Sequence, residues 1–136
     1  MIDQQRLARY KAKMQYIINN LDTAEPLTEN PNDIEERALY YCLLTAIEST
    51  MDLMAMVIKD KGAIPKGDKT NIEFLKSEGL ISSDLAEHLK KCNGLRNVLV
   101  HQYNGIDKEI VIESYSDVRE TLNEVVNIIG GIIDES

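Results

Sequence analysis

With 136 residues, 43% of them hydrophobic and 28% charged, the chain has an ordinary globular composition and room for one core, so a single domain over 1–136 is expected. A net charge of −8 and a pI of about 4.7 exclude a protein that coats nucleic acid through bulk electrostatics, which requires clustered Lys and Arg. Two cysteines, Cys42 and Cys92, are too few for a disulfide framework and lack zinc-motif spacing, so buried free thiols are expected. The first residues, Met1 to Arg6, lack the apolar segment of a signal peptide, and no run approaches the ~18 apolar residues of a membrane span. A cytoplasmic protein without membrane association is the expectation.

Apolar spacing carries the elements. Leu7, Tyr10, Met14, Ile17 and Leu21 step by three and four residues, a helical stripe, which the segment Thr23 to Asn32 with Pro26 and Pro31 interrupts. Asn32 followed by Glu35 is a capping-box start, and Tyr40, Leu44, Ile47, Met51, Met54 and Ile58 continue as the seam of a long second helix. Gly62, Pro65 and Gly67 end it. Thr70 with Glu73 suggests the cap of a short third helix carrying Phe74 and Leu75, stopped at Gly79.

Ser82, Ser83 and Asp84 open a fourth helix bearing Leu85, Leu89, Cys92, Leu95 and Leu99, and Asn104-Gly105 closes it. The fifth runs from about Asp107 towards the C-terminus on Val111, Tyr115, Val118, Leu122, Val125, Ile129 and Ile132. Ile110-Val111-Ile112 has strand character, but it extends that stripe and has no partner strand, so it reads as helix. Low aromatic content and short connections point to an all-α fold, an antiparallel up-down bundle of four long helices plus a short one.

The polar chemistry gathers at the end of the fourth helix. Arg96 and Tyr103 are seven residues apart, nearly on one helical face, and Asn97 with His101 is an i, i+4 pair beside it. Burying four such groups without partners is costly, which points to a site or a polar interface. Arg96 and His101 also have a plain alternative, since cations suit a helix C-terminus. Asn97 suits an orienting role, and Tyr103 reads equally as a packed helix-end aromatic. Met51, Met54 and Met56 read as core filler and dimer surface, the acidic stretch Glu29 to Glu36 as a solvated helix start, and His88 as exposed and incidental. Glu73 and Glu78 are too isolated for a metal or acid–base pair, and no phosphate loop is present.

The string Gly94-Leu95-Arg96-Asn97-Val98-Leu99-Val100-His101-Gln102-Tyr103, followed by Ile106-Asp107 and a last helix, resembles the signature of the HEPN superfamily, and within it the HepT-like ribonuclease toxins. The likeness covers nearly the whole chain in length, helix order and motif position. It implies a homodimer whose two motifs meet across a two-fold axis and cleave RNA without metal or other cofactor. Arg96 would then bind phosphate, His101 would act as general base or acid, and Asn97 would orient. It also implies a cognate minimal nucleotidyltransferase antitoxin, which in some relatives adds AMP groups to the tyrosine matching Tyr103.

Chemistry gives the dimer separate support. RNA cleavage without metal needs a base for the 2′-hydroxyl and an acid for the leaving 5′-oxygen, and His88 lies roughly 20 Å from His101 along one predicted helix. A two-fold axis supplies the second histidine. The competing reading is a non-catalytic helical partner that binds a nucleotidyltransferase and holds a nucleotide or phosphate through Arg96.

Overall fold

The computed structural model describes residues 2–101 and 105–134. The chain runs α1 (Gln4–Ala24), a 3-10 turn (Glu25–Thr28), α2 (Asp33–Asp60), α3 (Asp68–Ser77), α4 (Ser83–His101) and α5 (Lys108–Asp134). This is the expected bundle of four long helices and a short one, with no strand among the described residues; Ile110, Val111 and Ile112 form the first turns of α5.

Helix starts follow local chemistry. Asp3 caps α1 by accepting the Arg6 N–H at 2.7 Å. The expected capping box opens α2, with Glu35 N–H donating to Asn32 Oδ1 at 2.9 Å and Asn32 N–H to Glu35 Oε1 at 3.0 Å. Ser82 caps α4 through the Leu85 N–H, and Asp107 accepts from Glu109 and Ile110 at the head of α5. The cap expected at Thr70 and Glu73 does not form. α3 starts three residues earlier, after an N-cap at Gly67, because the Asn71 side chain holds both backbone groups of Lys66 and fixes the loop there. Glu73 instead pairs with Lys90 of α4. Gly62 ends α2 at φ 88°, a left-handed conformation that favours glycine.

The centre of the bundle is α2, which packs on α1, α3, α4 and α5. Of the six-residue seam, Ile47, Met51, Met54 and Ile58 are buried while Tyr40 and Leu44 are half-buried, and Leu39, Leu43, Ala46, Leu53 and Val57 join the buried face. By length and composition α2 is apolar enough to cross a membrane, but two-thirds of that stretch is buried against the other helices, as in a core helix. Met51, Met54 and Met56 are all buried, so the expectation that they form dimer surface is overturned; the exposed apolar side chains on α2 are Ile34 and Tyr41. On α5 the stripe holds through Ile129, after which Ile133 takes the buried place expected for Ile132.

Cross-helix pairs fix the register. Arg6 meets Asp60, Lys13 meets Asp52 and Thr45 donates to Asn20, so residue numbers rise on α1 as they fall on α2, an antiparallel pair. Tyr115 donates to the Leu21 carbonyl at 2.7 Å, and Arg119 bridges to Asp22, which ties α5 to the end of α1.

Candidate functional site

Burial of Leu85, Leu89, Cys92 and Leu99 fixes one face of α4 on the core and dictates where its polar residues go. Arg96 is half-buried and leans on α2, donating from Nη2 to Glu48 Oε2 at 3.1 Å and from Nη1 to Asn97 Oδ1 at 3.1 Å. Asn97 is otherwise exposed, and His101, the last residue of α4, is exposed with no side-chain hydrogen bond among the described residues. Tyr103, the candidate modification site, lies outside the described residues.

A five-residue separation turns ~140° around an ideal helix, so Arg96 and His101 of one chain do not aim at one point. Of the expected grouping of polar residues, the structure shows the bond between Arg96 and Asn97. Arg96 also turns to Glu48 of α2.

Two polar atoms stand out among the described residues as buried without a hydrogen-bond partner: Asn93 Oδ1 and Arg96 Nε. They lie one turn apart on α4. Orphaned buried polar atoms are few in folded chains and carry a desolvation penalty of about 1–3 kcal/mol each. Their clustering on the motif helix marks the stretch as one whose polar groups are not all satisfied among the described residues.

Glu48 is a site residue that reading the sequence missed. It is the one charged residue between Arg37 and Asp52, a lone carboxylate in an otherwise uncharged stretch, and that isolation was the available signal. The Arg96–Glu48 pair is 30% and 42% exposed, and a pair in that setting contributes at most about 1 kcal/mol. It orients the guanidinium but is weak enough to yield to a phosphate, which planar guanidinium groups bind in a bidentate manner.

Beside this site, Tyr41 of α2 and Tyr16 of α1 are exposed neighbours, and the nearby Tyr16 hydroxyl holds the Tyr41 pKa above its ordinary value. At the far end of the same helices Tyr10 donates to Asp60 Oδ2 at 2.6 Å and Arg6 Nε to the same atom at 3.0 Å. Partial burial works to raise the Asp60 pKa, but the bonds from Arg6 and Tyr10 outweigh it and the carboxyl sits low. Burial, with the Asp60 carboxylate, pushes Tyr10 well above its ordinary value. His88 is exposed, as expected, on the rim of a cleft between α4 and α5. Among the described residues no three His, Cys, Asp or Glu side chains come together as metal ligands.

Residues 7–129 match the family Ribonuclease HepT-like. A protein of Archaeoglobus fulgidus, provisionally named an RNase, is 42% identical over 130 residues, 96% of this chain and 97% of its own. The mRNA nuclease HepT of Shewanella oneidensis is 30% identical over 66 residues, about half of each chain. Among solved structures, the tri-AMPylated Shewanella oneidensis HEPN toxin in complex with MNT antitoxin superimposes with a TM-score of 0.81 at 20% identity, covering 90% of this chain and 96% of that one. The cytosolic protein YutE of Bacillus subtilis gives 0.79 at 18% identity, covering 94% and 90%. At such identity these structures speak to the fold, which is the all-α HEPN bundle.

Proposed function

This chain belongs to the HepT-like family of ribonucleases, and we propose that it is a metal-independent RNA endonuclease active as a homodimer through Arg96 and His101. The observation that carries the reading is the polar stretch of α4, where Arg96 Nε and Asn93 Oδ1 are buried without a partner among the described residues. Arg96 and His101 stand ~140° apart around an ideal helix. A second copy related by a two-fold axis completes the stretch and brings the Arg of each protomer near the His of its partner.

In that composite site one His101 takes the proton of the 2′-hydroxyl as its oxygen attacks phosphorus. The other His101 protonates the departing 5′-oxygen, leaving a 2′,3′-cyclic phosphate and a free 5′-hydroxyl. The two Arg96 guanidinium groups neutralise the charge that builds on the phosphorane oxygens. Glu48 and Asn97 hold each guanidinium in place, so they are positioning residues.

The toxin–antitoxin complexes of the Shewanella protein extend this reading to regulation. A cognate nucleotidyltransferase antitoxin would bind this chain and transfer AMP to Tyr103. An anionic adduct two residues from His101 would compete with the substrate phosphate for Arg96. One observation favours the alternative of a non-catalytic partner protein: Glu48 already occupies part of Arg96.

The test is cleavage of single-stranded RNA by wild type and His101→Ala with chelator present, alongside the solution mass of each. Chelator-resistant cleavage by a wild-type dimer, lost in the variant, supports the reading. A wild-type dimer that leaves RNA intact moves the assignment to the partner protein, and chelator-sensitive cleavage rejects the metal-free mechanism.

A further inference from the structure

One strip of α2 stays exposed between α1 and α4. Its neighbours define it: Thr45, Asp52 and Met56 reach Asn20, Lys13 and Arg6 of α1 on one side, while Glu48 reaches Arg96 of α4 on the other. Tyr41 lies on this strip about 10 Å above Glu48 and Lys59 about 16 Å below it, counting helical rise. The candidate catalytic arginine thus sits partway along an exposed lane with different chemistry at its two ends.

At the upper end, Tyr41 is 61% and Tyr16 45% exposed, two of the five large apolar side chains that the described surface leaves open. At the lower end, Arg6, Arg9, Lys13 and Lys59 surround an open concavity of about 290 Å³ whose remaining wall includes Asp52, Met56 and Pro65. Arg6 and Lys13 are partly neutralised by Asp60 and Asp52. Arg9 and Lys59 make no ion pair among the described residues and add local positive charge in a chain whose net charge is −8.

Aromatic faces and a basic groove in line are the two means by which proteins hold single-stranded nucleic acid irrespective of sequence. We propose that this strip is a track for single-stranded RNA: bases stack on Tyr41 and Tyr16 on one side of Arg96, and backbone phosphates settle among Arg9, Lys13 and Lys59 on the other. The proposal rests on the ribonuclease reading above and adds the strand's form and path. It accounts for how an acidic protein retains its substrate, since the cations needed are local to the lane that leads to Arg96. A duplex is stiff and hides its base faces, so it gains nothing from the tyrosines.

The test is fluorescence anisotropy of a labelled single-stranded oligouridine binding to full-length protein, in the His101→Ala background so that nothing is cut. The double variant Arg9→Glu/Lys59→Glu is expected to bind on the order of tenfold more weakly. Its slope of log affinity against log salt falls by roughly 1.4, about 0.7 for each phosphate no longer neutralised. Tyr41→Ala is expected to weaken binding at least about fivefold with the slope unchanged, because stacking releases no counterions.

Equal affinity and slope in the double variant overturn the phosphate half. A Tyr41→Ala protein that turns monomeric assigns the tyrosine to a protein interface and overturns the stacking half. Tighter binding of a duplex of equal length rejects the single-strand claim. If wild type cleaves RNA while the strip variants match it, only the track fails; if wild type neither cleaves nor binds RNA, the ribonuclease reading fails with it.

Discussion

The two outer surfaces of this bundle share one core and carry opposite charge. Helix α1 holds four cations, Arg6, Arg9, Lys11 and Lys13, against the single acid Asp22. Helix α5 holds six acids against Lys108 and Arg119. Between α4 and α5 a cleft of about 490 Å³ is lined by Asp84, Asp117, Glu120 and Glu124 against Lys91 and His88, with Leu85, Cys92 and Val118 beneath. The net charge of −8 is thus an average over a basic side and an acidic side. A substrate within a Debye length of about 8–10 Å responds to the side it meets, not to the sum. The difference teaches that an acidic pI excludes bulk coating of nucleic acid without excluding a local path for it.

The comparison breaks first if the two sides do not share one cooperative core. Leu122→Ala, at a fully buried α5 position, should cost about 2–5 kcal/mol in chemical denaturation while every probe reports a single transition. Two separate transitions would mean that the faces fold apart.

Next in size is the contrast between acids. Glu48→Lys places a like charge against Arg96 and should lower RNA cleavage by about 100-fold through misplacement of the guanidinium. Glu124→Lys, on the far cleft, should leave the rate within about twofold. Equal losses would show that overall charge, and not position, controls the reaction.

A smaller effect belongs to the lower end of the basic side. Tyr10→Phe removes the bond to Asp60 and should cost about 1 kcal/mol at neutral pH. The signs are opposite for the two partners. Asp60 titrates low in the folded chain, so its contribution is present above the ordinary carboxylate pKa of about 4 and is lost as pH falls below it. Tyr10 titrates high, so its contribution is present below pH ~10 and is lost as pH rises beyond. Urea melts across pH should therefore show a base-sensitive component in wild type that Tyr10→Phe lacks.

How much of this was legible in the sequence differs by feature. Stripes at three- and four-residue spacing located every long helix, because a buried face demands that periodicity regardless of what it packs on. The start of α3 was misplaced because Thr70 and Glu73 satisfy the capping pattern, whereas the bonds from Asn71 to Lys66 belong to a loop geometry that no pattern encodes. The motif itself was visible: Arg96, Asn97 and His101 stand together in one stretch of sequence. What Arg96 touches was not, since Glu48 lies on another helix, 48 residues away. The basic side was hidden for the same reason. Arg9 and Lys59 are fifty positions apart and meet only because α1 and α2 run antiparallel.

The cleft between α4 and α5 has a thiol beneath its rim. Cys92 is buried, and burial raises its pKa to about 12, so at neutral pH the nucleophilic thiolate is almost absent. The native chain should consequently ignore alkylating reagents until α4 and α5 part. Cys92 then acts as a built-in clock, since the rate at which it is alkylated counts how often that seam opens.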